Sequence, residues 1–163
     1  VLYRIKECVD AFEYKFKDSE TGKIKKFKIT KKRIVTFNPK LARKQIYEIN
    51  KEVEKAMGDL QIANAISEIF EVLRSSNKYI DDTTPWVLAK DDTKKDRLET
   101  VIYNLLESIR ICGRLLYPYL PDTSNSILEQ LNTTDKDLIY KDNNIYKVNK
   151  PSILFERLDI NNL

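Results

Sequence analysis

From Phe37 onward the apolar residues recur at intervals of three and four, and those intervals predict helices. Asn38 followed by Pro39 reads as an N-cap with proline at the first helical position. It opens a helix to about Met57 that turns Ala42, Ile46, Ile49, Val53 and Ala56 inward, until Gly58 and Asp59 interrupt it. A second helix from about Gln61 puts Ile62, Ile66, Ile69, Phe70, Leu73, Asn77 and Ile80 on one stripe. Residues 83–90 read as a loop with a short helical turn beginning at Pro85. A long helix over 94–117 buries Leu98, Val101, Ile102, Leu105, Ile109, Cys112 and Leu116. Pro118 and Pro121 stop it, and Asp122 or Thr123 can cap a further short helix through Leu131. Beyond Asn132 the spacing turns polar and irregular, with one extended piece at 153–158.

The chain before Phe37 has a different rhythm. In FEYKFKDSETGKIKKFKIT (12–30), Phe12, Tyr14 and Phe16 alternate with charged residues, as do Phe27 and Ile29, and 18–22 supplies turn chemistry. Period two around such a turn suggests a β-hairpin. Leu2, Ile5, Val9, Phe12 and Phe16 also share a helical stripe, so the first ten residues read as a short helix or a strand, with the hairpin after them. The organisation expected is an N-terminal basic element over 1–37, a helical bundle over 38–131 and an extended tail over 132–163. The fold class is mainly α, an antiparallel helical bundle with a small N-terminal β-hairpin.

Composition agrees with one helix-rich domain: 163 residues, 33% charged, with only three glycines and five prolines. No apolar run approaches the roughly 18 residues that span a bilayer, and nothing resembles a secretory signal, so no membrane partner is expected. The chain opens at Val1 rather than Met, which reads as a processed or excised piece. Its formal charge of +4 is uneven. Residues 15–33 hold nine basic side chains against Asp18 and Glu20, a local +7, so the remainder carries −3. Such a patch on a mildly acidic body favours contact with a polyanion, with Lys25, Lys26 and Lys28 as phosphate contacts. A solvated, lysine-protected strand pair would look the same.

Several chemistries are excluded. The chain has no histidine, which removes the commonest general base and zinc ligand and every Ser-His or Cys-His nucleophile. Cys8 and Cys112 are too far apart in sequence for a CxxC redox or metal motif and read as reduced core thiols of a cytoplasmic protein, or as one disulfide. Three glycines cannot write a phosphate-cradling loop. Asp81-Asp82 and Asp91-Asp92 read as cap or surface acids. No catalytic and no metal-ligating residues are assigned to this chain.

One stretch departs from amphipathic spacing. NKYIDDTTPWVLAKDD (77–92) places an amide, a tyrosine, paired acids and the only tryptophan at a helix end. Asn77 falls on the apolar stripe of its helix, where a buried amide must find partners. Trp86 follows Pro85, whose fixed backbone dihedral aims the indole. An aromatic presented beside an amide and basic groups is what an unstacked RNA base needs. The bland alternative is that Trp86 plugs the end of the bundle and Asn77 caps a loop.

The same residues carry a resemblance. NKYIDDTTPWVLAKDD, followed by RLETVIYNLLESIRICGRLLYPYLPDTSNSILEQL, closely resembles the anticodon-binding domain of bacterial methionyl-tRNA synthetases, a class I synthetase type of helical bundle. The preceding helices and the terminal PSILFERLD fit the same domain, so the likeness covers about 38–159. It implies that Trp86 stacks on the first anticodon base, that Pro85 positions it, and that Asn77 and Asp81 support the site. That family also uses an Asn and an Arg four apart on the entering helix. LYRI at 2–5 is similar to the end of that motif, which implies Arg4 as the matching arginine, with the Asn falling before Val1. The lysine-rich segment over 10–37 is longer and more basic than the usual connection. The partners implied are initiator and elongator methionine tRNAs and the catalytic domain of a parent synthetase. ATP and methionine belong to that catalytic domain, whose HIGH and KMSKS signatures do not occur in this chain. The chain thus resembles either an excised C-terminal domain or a stand-alone relative. The alternative function is a non-catalytic helical interaction or RNA-binding module.

Overall fold

The computed structural model describes residues 40–141, 144 and 146–155, with side chains from Glu48 onward. The hairpin expected at 12–30, Arg4, Lys25, Lys26, Lys28, the Asn38-Pro39 cap and the inward positions Ala42 and Ile46 lie outside the described residues. Within them the chain is helical, with no strand among the described residues. Helix α1 is Lys40–Gly58, α2 is Ile62–Thr83, α3 is the single turn Pro85–Leu88, α4 is Lys95–Leu115 and α5 is Pro121–Gln130. A 3-10 turn at Asp92–Lys94 leads into α4, capped by Asp91, whose carboxylate accepts the Thr93 N–H at 3.0 Å. Asp91 thus has the cap role expected of it.

α1 and α2 are joined by three residues and pack along each other, and α4 packs against α1, α2 and α5. The turn between α1 and α2 is closed by Gln61 N–H donating to Ala56 O at 2.8 Å and Leu60 N–H to Met57 O at 3.0 Å. In this cap the residue after the helix adopts the left-handed conformation, usually as glycine. Here Leu60 takes it, with φ 59°, while Gly58 remains the last helical residue.

α2 buries Ala65, Ile69, Val72, Ser76, Ile80 and Thr83, a stripe rotated from the expected one. Ile62 and Asn77 are exposed and Phe70 and Leu73 half-buried. The two hydroxyls on the buried stripe bond back into the helix, Ser76 to Val72 O at 2.9 Å and Thr83 to Tyr79 O at 2.6 Å, so small polar residues fit on the buried face. α5 begins at Pro121 itself, with Leu120 as its N-cap, so Pro121 opens this helix and neither Asp122 nor Thr123 caps it.

α4 is the centre of the molecule. Every residue from Val101 to Gly113 is buried, because helices cover part of its surface and the C-terminal segment covers the rest. Gly113 lets α5 approach: a Cβ there would lie 2.7 Å from Ile127 Cγ2. Cys112 is a free, buried thiol, and burial pushes its pKa up to about 12, so it is chemically quiet.

After α5 the chain turns at Asn132, again left-handed at φ 50°, and crosses the bundle without secondary structure as a strap. Its anchor is a fully buried ion pair on α4. Arg110 donates to both Glu107 oxygens, Nε to Oε1 at 3.2 Å and Nη2 to Oε2 at 2.8 Å. The guanidinium also bonds the carbonyls of Asp137 and, at 2.8 Å, of Ile139. Glu107 accepts Lys141 N–H at 3.0 Å, the Asn144 amide at 2.6 Å and the Tyr146 hydroxyl. Tyr103 hydroxyl donates to Lys141 O at 2.7 Å, and Asn50 of α1 donates to Leu138 O at 2.8 Å. Further on, Asn149 bonds the α5 carbonyls of Glu129 and Gln130, both at 2.8 Å. A buried charge pair is tolerated only when its remaining valences are met, and the strap meets them.

Candidate nucleic-acid interface

The end of α2 is an elbow built on Thr84. Its backbone is left-handed, φ 42° and ψ 61°, and its N–H donates to Ile80 O at 3.0 Å, closing α2. Its carbonyl then accepts Val87 N–H at 2.8 Å, starting α3 with Pro85 at the first position. A β-branched residue is strained in this region, so the elbow is held by its surroundings rather than by local preference. Those surroundings are visible: Pro85 and Leu88 are buried, and α3 packs on α4. With both neighbours seated, Trp86 and Val87 project outward, and Trp86 keeps 42% of its surface accessible. A plug at the bundle end would be enclosed, and Trp86 is instead an exposed residue.

Asn77 and Asp81 stand one turn apart on the same face of α2, both exposed. The burial expected of Asn77 is therefore corrected: the rotation of the stripe places Ser76 inside and Asn77 at the surface. Rather than supporting a buried network, its amide lines a groove formed with Phe70, Leu73 and Arg74 of α2 and with Ile153 and Phe155 of the strap. The structure thus brings Pro85 and Trp86 together at the elbow and sets Asp81 and Asn77 behind them along α2. Around the elbow lie exposed Lys78 and Lys90 with exposed Asp82 and Asp92, a mixed surface. Asp91 is held below its ordinary pKa by the Thr93 hydroxyl, the Lys94 ammonium and the Thr93 N–H. Among the described residues no cluster of His, Cys, Asp or Glu is arranged to hold a metal, and no helix is long and apolar enough to cross a membrane.

Sequence reasoning missed Glu107 and Arg110. The visible signal was a pair of opposite charges three apart inside the run 105–112, apolar but for them and Ser108. Their network also holds Asp135. Burial alone would raise that carboxyl, but the Lys141 ammonium, the Asp137 N–H, the Asn144 amide and the Arg110 guanidinium outweigh it and bring it down to about 2. The ammonium of Lys141 lies 2.8 Å from Asp135 and 2.6 Å from Asp137.

Residues 36–158 match a family model described as the anticodon binding domain of methionyl tRNA ligase. A methionine–tRNA ligase of Caldanaerobacter subterraneus subsp. tengcongensis is 43% identical over 117 residues, covering 67% of this chain and 18% of that protein. One from Clostridium tetani is 44% identical over 118 residues, 69% of this chain and again 18% of the relative. A crystal structure of the apo form of Mycobacterium tuberculosis methionyl-tRNA synthetase aligns with a TM-score of 0.70 at 17% identity, covering 97% of this chain and 34% of that one, which shows the fold. The chain spans under one fifth of the length of the curated relatives it matches. A central α4 wrapped by helices, an elbow presenting its tryptophan, and a family match over most of the chain agree, and the chain belongs to the family of the anticodon-binding domain of methionyl-tRNA ligase.

Proposed function

We propose that this chain binds the anticodon loop of methionine tRNA, with Trp86 as the stacking face for the first anticodon base. The observation that carries the reading is the elbow: an exposed indole between two buried residues, Pro85 and Leu88, on a backbone conformation its sequence does not favour. Preorganisation of that kind lowers the ordering cost of binding. Asp81 and Asn77 extend the approach along α2 with groups that bond base edges. Arg4 is a further base contact in this reading, and Lys25, Lys26 and Lys28 meet backbone phosphates. The partners are initiator and elongator methionine tRNAs in the cytoplasm, and the catalytic domain of a longer synthetase. Methionine and ATP are handled by that domain and not by these residues.

Losing a stacking aromatic costs about 1–3 kcal/mol. Trp86→Ala should therefore weaken binding of a CAU anticodon stem-loop about tenfold at fixed salt, measured by titration. A stem-loop with a changed anticodon should bind the parent chain more weakly. Unchanged affinity in both arms would overturn the reading and favour an interaction module indifferent to loop sequence.

A further inference from the structure

We propose that the groove between α2 and the strap is a second nucleobase site, in which Phe155 is the stacking face and Asn77 bonds the base edge. The inference rests on the reading of Trp86 as a base platform and extends it to a second nucleotide of the same loop. The groove has a volume of about 440 Å³, within the size range of small-ligand sites. Its floor is apolar, from Leu73, Ile109 and Ile127. Its mouth is flanked by two large apolar side chains left in solvent, Ile153 at 70% and Phe155 at 56% exposure. An exposed aromatic beside an apolar hollow marks a binding surface.

Two observations favour a base over an apolar protein segment, beside a rim where Arg74, the one ionised side chain lining the groove, is ion-paired with Glu71 at 2.6 Å. The mouth also presents the Asn77 amide, a donor and acceptor pair suited to a base edge. And the groove continues the candidate interface: Asn77 precedes the end of α2 by six residues, about 9 Å along the axis at 1.5 Å per residue, close to the Trp86 elbow. The strap wall is fixed in advance. Gln130 Nε2 donates to Ser152 Oγ at 3.0 Å and Ser152 N–H donates to Gln130 Oε1 at 3.1 Å, so Phe155 hangs three residues beyond a reciprocal pair.

The test uses the 163-residue chain and a CAU stem-loop in which each loop nucleotide is replaced in turn by an abasic residue. Phe155→Ala should weaken binding of the intact loop about tenfold, Phe155→Tyr should restore it, and Asn77→Ala should weaken it less. The Phe155→Ala loss should vanish at one abasic position, different from the position at which the Trp86→Ala loss vanishes. Both side chains are exposed at the surface, and an unchanged unfolding midpoint shows that the variants keep the fold. If Phe155→Ala costs nothing, or costs the same at every abasic position, the second site is overturned while Trp86 coupling leaves the first reading standing. If neither residue couples to any position, both fall. Phe155→Ala that spares RNA binding but abolishes association with an apolar peptide would assign the groove to protein and also overturn the proposal.

Discussion

Arg110 lies one turn beyond Glu107 on α4 and grips both of its carboxylate oxygens, in a place where neither side chain is reached by solvent. The pair is the point where the strap is fastened, since two strap carbonyls, one strap N–H, an amide and a tyrosine hydroxyl all end on it.

Removing one member should be far worse than removing both. Arg110→Met leaves Glu107 buried without its countercharge, and about 3–5 kcal/mol of stability should be lost. The double variant Glu107→Leu, Arg110→Met should cost less than the sum of the single changes. Urea unfolding of the four chains measures the coupling, and strict additivity would show that the pair is not a unit.

The strap should loosen in acid before the helices do. Asp135 is held at about 2 against an ordinary 3.8, so the stability it contributes is fully present above the ordinary value and is lost as pH falls toward 2. It faces Arg110, Lys141 and Asn144, and Asp137 shares the Lys141 ammonium. Asp135→Asn should therefore flatten the fall of stability between pH 5 and pH 2. Hydrogen exchange of the Lys141 and Asn144 amides, rising in the parent chain across that interval, reports the same event; a slope unchanged by the substitution would refute the assignment.

The two strained turns on α2 should respond oppositely to relief. Leu60 is 87% exposed with φ 59°, so Leu60→Gly removes left-handed strain while losing little packing and should raise stability by about 1 kcal/mol. At Thr84, Thr84→Gly relieves the same kind of strain but frees the elbow, and it should weaken stem-loop binding severalfold while fluorescence anisotropy of Trp86, the sole tryptophan, falls. Unaltered anisotropy and affinity would mean that Thr84 does not aim the ring.

The legible parts of the molecule were those written locally. Pro85 and Trp86 are neighbours in sequence, and their turn could be read from proline geometry alone. The buried positions of α4 named from its period are all inside, but the period gave no reason to bury Glu107 and Arg110, because nothing local says that a strap will cover them. Their partners are backbone groups tens of residues away in a segment with no period of its own. The rotation of α2 had a smaller cause. Ser76 and Thr83 look polar to a hydropathy pattern, yet each returns its hydroxyl to the preceding turn and can sit inside, which moves Asn77 out. The left-handed Leu60 was hidden by Gly58, the residue that appeared to mark the break.

Glu107 receives the Tyr146 hydroxyl across 39 positions of chain. During synthesis, therefore, α4 is made before the strap groups at 137–146 that satisfy its buried charge pair.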